Sequence, residues 1–270
     1  MNIWQSIVLG LVQGLAEFLP VSSSGHLLLM QKIFGIDDGG HFFTVLLHIG
    51  TLAAVLVVYR KRIIKMITKP VEQKFHWIWI IAATLVTVAI ALVLKKLDIL
   101  DAADSGCALG YCFLITAILL VLCDYLRKRV KGRVKIVEMK WYHAAFIGFM
   151  QGIAPLPGIS RSGATITGAT ACGMSRKEAA EFSFLLSIPA ILGGAVLEIP
   201  DAIKDGTHGI GALPCIIGVI VAAISGYFAV KFMIKLITKR SLTGFAIYTA
   251  LLGVFVILDQ LALHIIDWGF

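Results

Sequence analysis

The chain has 270 residues, of which 59% are hydrophobic and 15% are charged, and its formal net charge is +8. A soluble domain carries about 25% charged residues, so this composition, with a mean hydropathy of +0.91, excludes an ordinary soluble protein. The basic residues lie in short loops between apolar runs, which is typical of the cytoplasmic side of a membrane protein and argues against a nucleic-acid-binding protein.

Six apolar runs are long enough to cross the hydrocarbon core of a bilayer, which needs about 20 residues. The predicted spans are approximately Phe42–Tyr59, Trp77–Leu94, Gly106–Leu126, Ala179–Ile199, Ile210–Ile234 and Leu242–Ile266. We therefore expect an all-α polytopic membrane protein that forms a single integral membrane domain.

The charges of the connecting loops predict the orientation of these spans. The loops Arg60–Lys74 and Arg127–Lys140 are strongly basic, whereas the loop Lys95–Asp104 and the segment after the fourth span carry aspartates. Basic loops stay in the cytoplasm. We therefore predict a multi-pass protein of the bacterial cytoplasmic membrane, with Met1 and Phe270 both outside the cytoplasm.

Two further apolar stretches, Ile3–Phe34 and Trp141–Cys172, are each interrupted in the middle. The first is broken at Pro20 and the second at Pro155 to Gly158, which leaves pieces of about 13–17 residues that are short for a span. Each stretch is either a re-entrant helical hairpin, which returns to its own side of the membrane, or a pair of short spans. We favour the hairpins, and both interpretations leave the loop orientation unchanged.

The two broken stretches also match each other in sequence. A shift of 138 residues aligns Gly10–Gly25 with Gly148–Gly163 without a gap and pairs Gln-Gly with Gln-Gly and Ser-x-Ser-Gly with Ser-x-Ser-Gly. Chance similarity between apolar runs does not explain these polar matches. We predict two repeats, 1–138 and 139–270, each a hairpin followed by three spans. Because three is odd, the second repeat is inverted, and such repeats place their site near the bilayer midplane.

The first hairpin carries polar residues that are costly inside a membrane unless they have a function. Gln13 and Glu17 lie on one helical face, Pro20 ends that helix, and a serine run begins the next. A helix start with free N–H groups and hydroxyls is suited to phosphate. The residues predicted to form this cradle are Ser22, Ser23, Ser24 and Gly25, with His26 one turn later as a general acid or base rather than a packing histidine.

The second hairpin repeats the cradle and adds a cation. Ser160, Ser162, Gly163 and Thr165 surround Arg161, whose guanidinium fits phosphate oxygens. Serines alone would be explained by helix packing. That explanation does not cover Glu17 or Arg161, so we predict a buried polar site at the two breaks. We expect the other histidines to be interfacial or packing residues, with mid-span His48 as the one exception considered.

These segments resemble a known family. Gln-x-x-x-Glu, Pro-Val-Ser-Ser-Ser-Gly-His and Pro-Gly-Ile-Ser-Arg-Ser-Gly-Ala-Thr are similar to the signatures of the bacterial undecaprenyl-diphosphatases, also called bacitracin-resistance proteins, over nearly the whole chain. The resemblance implies hydrolysis of undecaprenyl diphosphate to the monophosphate at the outer side of the cytoplasmic membrane. This reaction recycles the lipid carrier for peptidoglycan synthesis and confers bacitracin resistance.

The resemblance also implies roles for individual residues. The functional positions are Glu17, Ser23, His26 and Arg161, with Gln13, Ser22, Ser24, Ser160, Ser162 and Thr165 around them. The family is associated with Mg²⁺ or Ca²⁺, for which Glu17 is the candidate ligand. Its acidic motif begins with Glu or Gln, and Gln13 at that position weakens a site made of two carboxylates.

Several alternatives stay open at this point. Ser23 is the preferred nucleophile with His26 as its base, and a water molecule activated by His26 is the competing one. Glu17 orients His26, binds the cation, or does both. The rival function is a transporter or flippase of a lipid phosphate or anion, although Glu17 would repel an anion. The expected partners are a polyprenyl diphosphate and membrane lipids, and the sequence is also compatible with a homodimer.

Overall fold

The computed structural model describes residues 1–36, 40–130, 132–205 and 210–268, without the side chains of residues 40–41 and 197–205. It is 81% helical, and in these ranges an isolated bridge between Val134 and Met174 is the one β-type contact. The helices are α1 (Ile3–Phe18), α2 (Ser23–Phe34), α3 (Gly40–Thr68), α4 (Lys74–Lys96), α5 (Ile99–Asp104), α6 (Leu109–Arg129), α7 (Trp141–Gly152), α8 (Arg161–Ala171), α9 (Arg176–Asp205), α10 (Ala212–Lys239) and α11 (Thr243–Leu258).

Six helical segments are long and apolar enough to cross a membrane, and in the last of them α11 continues into a π-helical turn, Asp259–Leu263. They are Phe42–Thr68, Lys74–Lys96, Leu109–Arg129, Arg176–Val196, Ala212–Lys239 and Thr243–Leu263. The prediction of an all-α polytopic membrane protein is therefore confirmed. Phe270, whose side of the membrane the loop charges predicted, lies outside the described residues.

The helices extend beyond several predicted span ends. For example, α3 continues from Tyr59 to Thr68 through the basic residues Arg60, Lys61 and Arg62. Long basic side chains can keep their charged heads in water while their methylene stems cover the end of an apolar helix. The apolar run therefore predicts the buried part of a span and underestimates the whole helix.

Both hairpins break at their prolines. In the first hairpin α1 ends at Phe18, two residues before Pro20, and α2 begins at Ser23. Proline has no N–H to donate and its ring clashes with the carbonyl four residues earlier. In the second hairpin the residues between α7 and α8 include Pro155 and Pro157. Whether each hairpin is re-entrant stays a prediction.

The two halves of the chain are interlocked. Helix α1 of the first half packs along α10 of the second, and α7 of the second half packs along α4 of the first. Helices α3 and α9 also pair, as do α6 and α11. A Cβ at Gly14 would lie 1.9 Å from Ser225 Oγ, and one at Gly148 would lie 2.4 Å from the Ala83 carbonyl oxygen. These glycines let the helices approach closely, and the packing carries the two hairpin breaks to one place.

Candidate active site

The two hairpin breaks touch each other. A Cβ on Gly25 would lie 2.7 Å from the Gly158 nitrogen, and Gly158 has a φ of +96°. Ser22 Oγ accepts hydrogen bonds from the N–H of Gly158 at 3.1 Å and of Gly25 at 3.3 Å. Only glycine fits this close approach and this backbone conformation without strain. The start of α2 is therefore fixed against the break of the second hairpin.

Corresponding serines cap α2 and α8, the second helix of each hairpin. Ser22 is the N-cap of α2, and Ser160 is the N-cap of α8, where its Oγ accepts the Gly163 N–H at 3.1 Å. Hydroxyl pairs at 3.3 Å join Ser22 with Ser24 and Ser160 with Ser162. The first N–H groups of a helix have no partner within it and carry a partial positive charge. The site therefore presents two such helix starts close together.

A buried ion pair joins the two halves at this point. Arg161 Nη2 donates to Glu17 Oε1 at 2.6 Å, and the side chains are 14% and 6% exposed. The other oxygen, Glu17 Oε2, accepts from Ser23 Oγ at 2.5 Å and from Gln13 Nε2 at 3.0 Å. The Nε2 atom of His48 lies 3.8 Å from the same oxygen. The structure thus brings Gln13, Glu17, Ser23 and Arg161 together.

Two polar atoms beside this carboxylate are buried and have no hydrogen-bond partner among the described residues. They are Nη1 of Arg161, a donor, and Oε1 of Gln13, an acceptor. Leaving such an atom unpaired costs about 1–3 kcal/mol. Unpaired groups of this kind indicate places where a bound molecule completes the hydrogen bonding. The donor suits an anion, and the acceptor suits a hydroxyl, a water molecule or a cation.

The ring nitrogens of His26 have partners other than Ser23. Its Nδ1 is 2.7 Å from the Ser22 carbonyl oxygen, and its Nε2 is 2.7 Å from the Tyr248 hydroxyl. Ser23 donates to Glu17 instead, and the hydrogen bonds of the His26 ring do not include that carboxylate. The expected pairings of Ser23 with His26 and of Glu17 with His26 are therefore not formed in this structure.

Thr165 lies in α8, one turn after Arg161, and its hydroxyl contacts α9. Its Oγ1 donates to the Arg161 carbonyl at 2.9 Å and lies 2.6 Å from Ser183 Oγ. Ser162 Oγ donates to the Leu19 carbonyl at 3.2 Å. These contacts brace α8 against α9 and against the first break. Both residues therefore support the positions of the two helix starts.

Comparison with known proteins identifies the family of the chain. A protein-family model described as "Bacitracin resistance protein BacA" matches residues 6–255. The chain belongs to this family. Similar proteins carry a more specific name: an "Undecaprenyl-diphosphatase" of Carboxydothermus hydrogenoformans is 45% identical over 97% of this chain and 99% of its own length. Similar proteins are the "Undecaprenyl-diphosphatase" of Treponema denticola, 41% identical over 100% and 99%, and "Undecaprenyl-diphosphatase 4" of Bacillus thuringiensis, 39% identical over 96% and 98%.

The structure adds three residues that sequence reasoning left outside the site of this BacA-family chain. Thr116 in α6 donates to the Gly158 carbonyl at 2.7 Å and accepts the Ser160 N–H at 2.9 Å. Tyr248 in α11 holds His26, and His48 in α3 approaches Glu17. The signal for His48 was its position inside an apolar span. Thr116 and Tyr248 gave no such signal, because their contacts depend on tertiary packing.

The donor atoms fit a divalent cation only in part. The described residues include no group of three His, Cys, Asp or Glu side chains that could hold a metal ion. Mg²⁺, however, is usually bound by one or two carboxylates together with substrate phosphates. Glu17 and the unpaired Gln13 Oε1 meet that smaller requirement, so the site fits a cation shared with a phosphate ligand.

Proposed function

We propose that this chain hydrolyses undecaprenyl diphosphate to undecaprenyl phosphate and inorganic phosphate. Membership of the BacA family and relatives named undecaprenyl-diphosphatase support this substrate. One structural observation carries the proposal: Arg161, which has a buried guanidinium nitrogen without a partner, and the Ser23 hydroxyl both bond the Glu17 carboxylate, where two helix starts meet. Phosphoryl transfer requires mainly positioning and charge stabilisation, and these groups supply both.

Binding of the diphosphate follows from the charges of the site. The terminal phosphate accepts from Arg161 Nη1 and from the first N–H groups of α2 and α8, whose helix dipoles favour an anion. The site is buried, so these interactions are stronger than they would be in water. The polyprenyl chain extends into the lipid, since many apolar side chains on the outer helix faces are exposed.

The contact between Ser23 and Glu17 supports a serine nucleophile. In the proposed step a lone pair of Ser23 Oγ forms a bond to the terminal phosphorus, and the hydroxyl proton passes to Glu17. The bond from that phosphorus to the bridging oxygen breaks, and undecaprenyl phosphate leaves with the electron pair. Water then cleaves the phosphoserine to give inorganic phosphate. Direct attack by water stays the competing route.

His26 is proposed as the group that moves a proton in the water step. It lies one turn beyond Ser23 on the same helix, and its ring is anchored at Nδ1. The hydrogen bond from Ser23 to Glu17 supports Glu17 as the group that accepts the Ser23 proton. We assign His26 to the activation of the hydrolytic water. This differs from the sequence-based hypothesis, in which His26 was the base for Ser23.

We also propose that a divalent cation, Mg²⁺ or Ca²⁺, binds together with the substrate at Glu17 and Gln13 Oε1. When bound, such an ion neutralises phosphate charge as a Lewis acid. The residues of the chain position the Glu17 carboxylate for it: Arg161 donates to Oε1 at 2.6 Å and Gln13 donates to Oε2 at 3.0 Å.

The membrane placement is a further part of the proposal. The chain is a multi-pass membrane protein, and we place it in the bacterial cytoplasmic membrane with the site open to the outer side, where the product re-enters peptidoglycan synthesis. The alternating loop charges support this orientation. The packing of α1 on α10 and of α7 on α4 is the reciprocal arrangement expected of two related halves. A homodimer stays a prediction from the sequence alone.

Phosphate release tests the proposed function directly. Purified protein in lipid nanodiscs is incubated with undecaprenyl diphosphate, and inorganic phosphate and the lipid product are measured with and without a chelator. We expect equal amounts of phosphate and undecaprenyl monophosphate. Ser105→Ala, at an exposed serine outside the site, is the matched control for Ser23→Ala. Movement of the lipid across the bilayer without phosphate release would instead support the transporter.

A further inference from the structure

The hydrogen bonds of His26 define which of its ring nitrogens is basic. The Ser22 carbonyl oxygen can only accept, so the Nδ1 atom at 2.7 Å must donate to it and carry a proton. In the neutral imidazole the other nitrogen, Nε2, is then an acceptor. The Tyr248 hydroxyl, 2.7 Å from Nε2, therefore donates its proton to that nitrogen.

Ring contacts also hold the imidazole in place. The Tyr248 ring stacks on His26 with centroids 5.6 Å apart and an angle of 17°, and Phe113 meets it edge-on at 5.3 Å and 80°. His26 is thus held by its own helix, by α6 and by α11. Of these three contacts, only Tyr248 touches the nitrogen that can take up a proton.

We propose that Tyr248 is a positioning residue for His26. Its hydroxyl keeps Nε2 as the basic nitrogen and fixes the orientation of the imidazole ring before substrate and water bind. This inference rests on the proposed function and on the role of His26 within it. The hydroxyl binds no atom of Glu17, Ser23 or Arg161 among the contacts described above. Tyr248 therefore acts through the histidine and not on the phosphate.

The substitution Tyr248→Phe removes the hydroxyl and retains the ring. We expect kcat for phosphate release to fall about tenfold, the loss expected for one hydrogen bond, with KM unchanged because the phosphate cradle is intact. In a His26→Ala background the same substitution should lower kcat by less than twofold, because the residue it positions is already absent. The matched control is Tyr111→Phe, at a similarly exposed tyrosine on α6, and should have no effect.

Several outcomes would overturn the inference. A rise in KM with kcat unchanged would assign Tyr248 to the lipid chain. Independent losses that add up in the double variant would assign it to packing. A second measurement does not depend on activity: nitrogen NMR of histidine-labelled wild-type protein should show a ring with a protonated Nδ1 and an unprotonated, hydrogen-bonded Nε2, and this signal should be missing from His26→Ala but not from a variant of His48, whose Nδ1 also lies 2.9 Å from a carbonyl oxygen. Absence of this signal from the wild-type protein would remove the proposed contact. If the wild-type protein released no phosphate, the proposed function would fail, and the NMR result would still decide the contact.

Discussion

Replacing Arg161 by lysine separates a shaped phosphate ligand from a simple positive charge. The guanidinium has two ends in this site: Nη2 is bonded to Glu17 at 2.6 Å, and Nη1 is buried with no partner among the described residues. A lysine ammonium is a compact point charge without the planar fork. In this geometry it can approach either the carboxylate or the phosphate, and we expect it to lose one of these contacts.

The size of the effect follows from the contact that is lost. A hydrogen bond to a charged group contributes about 1.5–3 kcal/mol. Loss of about 2.7 kcal/mol of transition-state stabilisation lowers the rate about a hundredfold. We therefore expect Arg161→Lys to release phosphate at least about a hundredfold more slowly than wild type, and to be nearly as inactive as Arg161→Ala.

The assay measures phosphate release from undecaprenyl diphosphate by both variants under identical conditions. The control is Arg133→Lys, at an exposed arginine in a loop, which should keep full activity. Equal thermal unfolding of all proteins shows that the site, and not the fold, has changed. Retention of most activity in Arg161→Lys would mean that charge alone is required, and the fork argument would be wrong.

Three further predictions concern the nucleophile, the hydrogen bonds of Thr116 and the orientation of the chain in the membrane. Ser23→Ala should abolish nearly all turnover and leave substrate affinity largely intact, and the native enzyme should yield a phosphoserine when quenched at acidic pH, where protonated His26 cannot activate water. Thr116→Val leaves the Gly158 carbonyl and the Ser160 N–H buried and unpaired, so the free energy of unfolding should fall by about 2 kcal/mol or more, measured by thermal melting against Thr116→Ser. In a cysteine-free background, a cysteine at Asp101 should be labelled from outside intact cells, and one at Arg133 should not.

Each of these predictions has an opposite result. An active Ser23→Ala enzyme with no trapped phosphoserine would favour water as the nucleophile and leave the hydrolase assignment intact. A Thr116→Val protein as stable as wild type would mean that other groups satisfy the break. Labelling at Arg133 in intact cells would contradict the inverted repeats.

Local features of the site could be predicted from the sequence because they depend on neighbouring residues. Pro20 ends a helix by its own geometry, and Ser22 and Ser160 cap the next helices through hydrogen bonds only three residues long. The apolar spans were also predictable, since lipid selects composition directly. A buried polar site at the two breaks was predicted because neither Glu17 nor Arg161 is stable alone in a membrane, but their direct pairing was not.

Directions of side chains could not be predicted in the same way. The sequence places His26 three residues after Ser23, yet the structure turns the imidazole toward Tyr248, 222 residues away, and gives Ser23 to Glu17. Thr116 has the same ambiguity, because a threonine in a span usually bonds its own helix. The hydrogen-bond partner of each of these side chains depends on how α6 and α11 pack against the hairpins. Spacing along the chain does not determine that packing.

The ion pair of the site has a consequence for how the protein is made. Glu17 and Arg161 are 144 residues apart. Chains grow at about 5–20 residues per second, so the first hairpin exists for roughly 7–30 s before its arginine is synthesised. Helix α10, on which α1 packs, is synthesised later still. We therefore expect the first hairpin to wait, at the membrane surface or within the insertion machinery, until the second half of the chain arrives. The ion pair of the site can therefore form only after more than half of the chain has been synthesised.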